Sequence, residues 1–146
     1  MMTAMQRWYP VEWAEDWDRV GLVVGDPAAP VGRILFAVDC VPETVAQAIE
    51  ERADLLLTHH PLLLHGVSSV ATTTYKGRLV HDLIRNDVAL FVAHTNADVA
   101  DPGVSDALAA RLGLRDTRPL RPTDGSGRGH GRVGELPEPV TLAEFT

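Results

Sequence analysis

The chain has 146 residues, the size of one ordinary domain, and a globular balance of 45% hydrophobic and 23% charged residues. Its formal net charge of −7 makes nucleic acid or an anionic membrane an unlikely main partner, because phosphate contacts require clustered Lys and Arg. The single cysteine, Cys40, allows no intrachain disulfide, and no apolar run approaches the roughly 20 residues that span a membrane.

The first third of the chain predicts a short helix and a buried strand. Residues 10–17 have the features of a helix start, because Pro10 suits a first helical turn and acidic residues follow it. Residues 20–24 are apolar and end at a Gly-Asp-Pro loop signal. Residues 34–38 form a continuous apolar run, which predicts a strand buried on both faces.

Helices and strands alternate through the middle of the chain. Three segments have helical features: 42–52, 75–86 and 104–112. Two short apolar runs are typical of buried strands: 54–58 and 88–93. The order strand, helix, strand, helix, strand, helix predicts an α/β fold with a mostly parallel sheet and helices on both faces. The pattern predicts a single domain of this class over residues 1–146.

The C-terminal segment combines a loop with a helix signal. Residues 115–131 contain prolines and a glycine-rich run and predict a flexible loop, with one more strand over 131–136. Thr141 and Glu144 have the spacing of a capping box at a helix start, yet the chain stops at Thr146. Because an isolated one-turn helix is unstable, we expect that a C-terminal part of the fold is missing.

Two adjacent histidines follow the predicted strand 54–58, where ligand sites of open α/β sheets lie. Pro61 biases His60 towards an extended conformation, and adjacent extended residues point to opposite sides. His59 and His60 are therefore predicted to serve different ions of a close pair, whose separation is typically about 3.5–4 Å. The alternative is two partly exposed loop histidines.

Other polar residues lie after neighbouring strands. Asp98 is placed to bridge two ions, although most loop aspartates are solvated turn residues. His94 is a ligand or a second-shell residue that orients one, and we favour a hydrogen-bonded role over direct ligation. Asp39 could face the same edge, but a turn or N-cap role before Pro42 is favoured.

Four other residues receive structural interpretations. Cys40 is interpreted as a small packed residue, since no basic neighbour in sequence suggests a reactive thiolate. Trp8, Trp13 and Trp17 have approximately helical spacing, and core or subunit contact is favoured over a stacking site for bases.

Three segments together form a recognisable pattern. They are WAEDWDRVGL with VGD within 13–26, DLLLTHHPL at 54–62, and AHTNAD at 93–98 followed by GVSD at 103–106 and LGL at 112–114. This combination spans most of residues 11–114. It resembles the dinuclear-metal-centre hexameric proteins, the GTP cyclohydrolase I type 2 homologue family, also called Nif-three-like.

The resemblance implies a metal site and an assembly. His59 and His60 would each ligate one of two divalent ions per subunit, and Asp98 would contribute a carboxylate. The subunits would form a toroidal homohexamer. The family's remaining ligands form a His-x-x-x-Glu motif near the C-terminus, and here Gly134 stands four residues after His130. This difference agrees with the expectation of a missing C-terminal part.

Two functions remain open from the sequence. The first is a metal-dependent hydrolase that acts on a nucleotide-like small molecule through water activated by two ions. The second is a non-enzymatic protein that binds or delivers metal or regulates a partner, and a scaffold fragment that binds nothing tightly is a third reading. Histidine and carboxylate ligands suit zinc, iron or manganese alike. The single cysteine, with no signal peptide recognised, predicts a cytoplasmic location.

Overall fold

A computed structural model describes residues 1–145 of the chain. The single domain predicted over 1–146 contains two compact units, the first spanning Met1–Asn96 and the second beginning at Ala97. Within the described part, none of the helices combines the length and the apolar character that crossing a membrane requires.

The first unit alternates helices and strands around one sheet. Its elements are α1 (Met2–Trp8), a 3-10 helix (Val11–Trp13), β1 (Gly21–Val24), β2 (Ile34–Ala37), α2 (Pro42–Glu50), β3 (Leu55–Thr58), α3 (Tyr75–Arg85) and β4 (Ala89–Val92). A four-residue helix, α4 (Thr95–Asp98), follows β4 directly.

The four strands form one mixed sheet in the order β1-β4-β3-β2. The strands β2, β3 and β4 are parallel, and β1 pairs antiparallel with β4 at one edge. The predicted α/β fold with a mostly parallel sheet is therefore confirmed. Ala37 pairs with Thr58 and Thr58 with Val92, so the three parallel strands end side by side. Residues that follow these ends meet at one edge of the sheet.

One face of the sheet packs against α2 and α3. Leu56 and Leu90 are fully buried there, in one cluster with Val45 of α2 and with Leu79 and Leu83 of α3. Burial of each such side chain stabilises the fold by roughly 1.5–3 kcal/mol relative to exposure. This core fixes the positions of β3 and β4, whose ends carry the histidines.

The predicted burial of strand 34–38 on both faces is wrong. Its strand, β2, is an edge strand in which Ile34 and Phe36 are exposed, Phe36 by 71%. Leu35 and Ala37 alternate with them and pack against the core. The apolar run therefore reflects one buried face and one uncovered face.

The helix predicted over 10–17 is also wrong. The helical segments are α1, before Pro10, and the short 3-10 helix after it, and the chain is already extended at Ala14. Long-range contacts compete with helix formation here, since the backbone N–H of Glu15 donates to Thr95 Oγ1 at 3.0 Å.

The second unit contains a β-hairpin where a loop was predicted. Its elements are α5 (Val104–Arg111), β5 (Arg115–Pro122), β6 (Gly129–Glu135) and α6 (Leu142–Phe145). The prediction of a loop over 115–131 is wrong for most of its length, because β5 pairs antiparallel with β6. Prolines are tolerated in this two-stranded ribbon, where each strand has one edge without a ladder partner. The strand predicted over 131–136 corresponds to β6.

Hydrogen bonds of Asp106 and of Glu144 organise the second unit. Arg132 of β6 donates to both carboxylate oxygens of Asp106 on α5, at 2.5 and 2.6 Å. Asp106 also accepts from the backbone N–H of Gly103 at 2.8 Å and so caps α5. The predicted capping box is present, since Glu144 accepts from the Thr141 N–H at 2.9 Å and donates its own N–H to Thr141 Oγ1.

Candidate metal centre

Three histidines gather at the ends of the parallel strands in the first unit. His59 and His60 follow β3, and His94 follows β4. One potential ligand atom from each lies within 4.8 Å of the others. The ring centroids are 5.0 Å apart for His59 and His60, 5.1 Å for His59 and His94, and 5.7 Å for His60 and His94. We refer to these three residues as the histidine cluster.

The two adjacent histidines do not point to opposite sides of an extended strand. The chain bends immediately after Thr58, the last residue of β3. The backbone N–H groups of His59 and His60 donate to Ala37 and Val38, and Thr58 Oγ1 donates to the carbonyl of His60 at 3.2 Å. The two ring centroids are only 5.0 Å apart, so the geometry accommodates one shared ion as well as a close pair.

Each Nδ1 atom of the cluster is held by an oxygen. His59 Nδ1 lies 3.0 Å from the carbonyl oxygen of Ala93, His60 Nδ1 lies 2.8 Å from Asp39 Oδ1, and His94 Nδ1 lies 2.9 Å from Asp18 Oδ1. These oxygens accept hydrogen bonds, so the neutral rings carry their proton on Nδ1 and the lone pair on Nε2. This is the usual arrangement of metal-binding histidines.

Asp18 is the buried anchor of His94. Its side chain is inaccessible to solvent, and it accepts from His94, from the backbone N–H and hydroxyl of Thr95, and from the Arg19 N–H. Burial raises the pKa of this carboxyl, but the hydrogen bonds from His94 and Thr95 outweigh burial and hold it below its usual range. Asp18 is therefore ionised at neutral pH.

Asp39 contacts the cluster in addition to shaping a turn. Its carboxylate pairs with His60, and about half of each side chain is exposed. Its carbonyl accepts from Thr44 Oγ1 at the start of α2. The carboxylate of Asp39 therefore faces this edge of the sheet, as one of the two interpretations from sequence had it. The turn before α2 is stabilised by the carbonyl of Asp39 and not by its carboxylate.

The remaining candidates differ in where the structure places them. Asp98 is half-buried at the last position of α4 and belongs to the second unit, and its role as a ligand stays a prediction. His94 lies within the cluster, where it can ligate an ion or orient a ligand. Cys40 is buried in the core, and burial raises the pKa of its thiol to about 11, which agrees with an unreactive packed residue.

Asp18 is the residue that reasoning from sequence missed. It lies 76 positions before His94, and no local pattern indicates this contact. The one available signal is that Asp18 directly follows Trp17, although Asp16 and Arg19 make the same segment charged. Such a residue requires a buried partner if the chain folds over it.

The donor set fits a divalent transition metal. Three imidazoles with Nε2 lone pairs suit zinc, iron or manganese, and the oxygens that contact each Nδ1 already orient the rings. The side chain of His60 is 50% exposed and that of His94 is 16% exposed. The cluster is thus open to solvent on one side, which leaves room for water or a ligand on a bound ion.

Fold and cluster together define an α/β protein with a candidate histidine metal centre, and comparison with known proteins identifies the family. The Duf34/NIF3 (NGG1p interacting factor 3) family profile matches residues 1–146, so the chain belongs to that family. It is 58% identical to a GTP cyclohydrolase 1 type 2 homolog of Streptomyces coelicolor over 99% of this chain and 52% of that protein. A Mycobacterium tuberculosis protein of the same name is 54% identical over 81% of this chain and 31% of its own length. The resemblance inferred from the motifs is confirmed.

Solved structures agree with this assignment. A Staphylococcus aureus hypothetical protein has a TM-score of 0.91 and 30% identity, covering 99% of this chain and 60% of that one. A Bacillus cereus protein related to NIF3 has a TM-score of 0.79 and 38% identity, covering 84% and 34%. The chain therefore spans about half the length of the Streptomyces relative and about a third of that of the Mycobacterium one.

Proposed function

We propose that this chain binds divalent metal through the histidine cluster and acts as a metal-dependent hydrolase on a nucleotide-like small molecule. The observation that carries the proposal is the pre-oriented cluster, with three ligand atoms within 4.8 Å and every Nδ1 held by an oxygen. Unoriented surface histidines would lose side-chain freedom on binding an ion. Here most of that ordering is already present in the fold.

The residues divide into ligands and supports. His59, His60 and His94 would hold metal through Nε2, while Asp18 and Asp39 fix the orientation of two of the rings. A divalent ion held there would supply a Lewis acid and would lower the pKa of its bound water towards neutrality. Two ions per subunit, a carboxylate from Asp98 and assembly into a hexamer complete the proposal and rest on the family resemblance.

The test is zinc content after dialysis, measured by elemental mass spectrometry on the parent and on His60→Ala. We expect near-stoichiometric zinc in the parent and a loss of at least about tenfold in affinity in the variant, because an oriented ligand is removed. His81→Ala is the matched control, since His81 is exposed on α3, and its zinc content should equal the parent's. Negligible zinc in the parent, or equal zinc in His60→Ala, would contradict the proposal.

The second candidate is a non-enzymatic protein that delivers metal or regulates a partner. The half-exposed pair of His60 and Asp39 favours it, because an accessible ligand can pass an ion to another protein. Turnover separates the two candidates. We expect the zinc-, manganese- or iron-loaded parent to hydrolyse a nucleoside triphosphate, and His60→Ala to lose that activity. A metal-loaded parent without turnover on any of these metals would favour the second candidate.

A further inference from the structure

We propose that Trp17 is a specificity-determining residue that stacks on the planar ring of a ligand bound at the histidine cluster. This inference rests on the proposed function, because it supplies the ring-binding part of the same site. The four residues that it concerns, Trp17, His59, His60 and His94, all belong to the first unit.

Trp17 lies beside the cluster and is fixed there by its neighbour in sequence. Its ring centroid is 6.0 Å from that of His94, and the two planes meet at 78° in an edge-on contact. Asp18, the next residue, is buried and binds His94 Nδ1 at 2.9 Å and the Thr95 N–H at 3.1 Å. The segment carrying Trp17 is therefore tied to the loop carrying His94.

The indole is nevertheless more than half open. Trp17 is 54% exposed, so it is not a core residue, one of the two roles that the spacing of the tryptophans favoured, and the other role, a subunit contact, stays a prediction. A single edge-on contact leaves more than half of this large, mostly apolar side chain accessible to solvent beside a polar cluster. Indole cannot serve as an acid or a base near neutral pH, so it can act here only in binding, through contact with its ring and through its N–H donor.

This arrangement matches a ligand with two chemically distinct parts. An aromatic heterocycle would stack on Trp17, while oxygen atoms of the same molecule would approach the metal held by the histidines. Stacking on an aromatic side chain typically changes affinity by roughly tenfold to a hundredfold per base. The ligand class is therefore a nucleotide with an aromatic base rather than an oxyanion without a ring, such as a bare polyphosphate.

The test compares ligands with and without a ring. Zinc-loaded parent, Trp17→Ala and Trp17→Phe are titrated calorimetrically with GTP and with inorganic triphosphate. We expect Trp17→Ala to lose at least about tenfold in affinity for GTP, Trp17→Phe to retain most of it, and triphosphate to bind all three alike. Trp8→Ala is the matched control, because Trp8 is 60% exposed and its ring has no contact with the cluster among the described residues.

Several outcomes would overturn the inference, and zinc content distinguishes them from failure of the proposed function. Unchanged GTP affinity in Trp17→Ala, equal weakening for triphosphate, or no GTP binding by the zinc-loaded parent would each contradict a stacking role. Altered oligomeric state in Trp17→Ala at unchanged GTP affinity would make Trp17 a subunit contact instead. A parent that holds no zinc would contradict the proposed function. A preference for GTP over triphosphate that depends on Trp17 could still be measured in that protein and would support the stacking role.

Discussion

At the residue scale, the chemistry of the cluster depends on oxygens that are remote in sequence. His59 is held by the carbonyl of Ala93, and His94 by the carboxylate of Asp18. Strand ends in the sequence predict that His59, His60 and His94 approach one another. They do not predict the tautomer of each ring, because that depends on contacts between segments up to 76 positions apart.

Asp18→Ala should weaken zinc binding without removing a direct ligand. The Nδ1–H of His94 would lose its acceptor, and loss of such a support typically lowers metal affinity by about 10- to 100-fold. The buried groups left unpaired should also cost roughly 1–3 kcal/mol of stability. Competition titration with a zinc chelator and urea unfolding measure the two effects. Asp16→Ala, which removes an exposed carboxylate two positions away, should change neither.

Cys40 should react slowly with alkylating reagents in the folded protein. Its thiol is buried and its pKa is raised to about 11, so only about one thiol in a thousand is ionised at pH 8. Mass-spectrometric labelling with iodoacetamide should be at least about 100-fold slower in buffer than in guanidinium, where the thiol regains its ordinary pKa. Equal rates would show that Cys40 is accessible.

At the element scale, the sequence predicts best where one face of an element is apolar. The helices α2 and α3 and the strands β3 and β4 follow the predicted segments closely, because their apolar residues are those that pack in the core. Helix α5 buries only Ala109 and follows its prediction because Gly103 and Gly113 mark its ends. The errors have separate causes. Over residues 10–17, tertiary contacts take the place of the predicted helix. In the second unit, Pro119 and Pro122 suggested a loop, but a two-stranded hairpin accommodates them.

The ion pair between α5 and β6 should stabilise the second unit in a pH-dependent way. Burial raises the pKa of Asp106, but the hydrogen bonds from Arg132 and the Gly103 N–H outweigh it, so the pKa lies below the unfolded value. A lowered folded pKa means that the stabilisation is complete above the unfolded pKa and is lost as pH falls through the folded one. The loss should therefore begin below about pH 4.

Urea unfolding of Asp106→Asn tests this expectation. At pH 7 the variant should be less stable than the parent by about 1–3 kcal/mol, because the buried Arg132 loses its charged partner. At pH 3 the difference should shrink, since Asp106 of the unfolded parent then binds a proton more readily than Asp106 of the folded parent. Asp116→Asn is the control at an exposed position where asparagine tolerates the positive φ of 50°. A difference that stays constant between the two pH values would contradict the assignment.

At the scale of the whole molecule, the family and the fold are secure, and assembly is a prediction. The chain covers 52% of the Streptomyces relative, so its assembly is tested on this chain itself. We expect light scattering after size exclusion to give a mass near six times 15.8 kDa if this chain forms the proposed hexamer. A mass near 15.8 kDa would show that it does not assemble by itself.

The central claim is that imidazole nitrogens of the histidine cluster hold a divalent ion, and X-ray absorption at the zinc edge tests it most directly. The zinc-loaded parent should show nitrogen ligands at about 2.0–2.1 Å with outer-shell scattering from at least two imidazole rings. A variant with both His59→Ala and His60→Ala should lose that scattering, while His81→Ala should keep it. A parent spectrum with oxygen ligands alone, or one unchanged in the double variant, would contradict the claim.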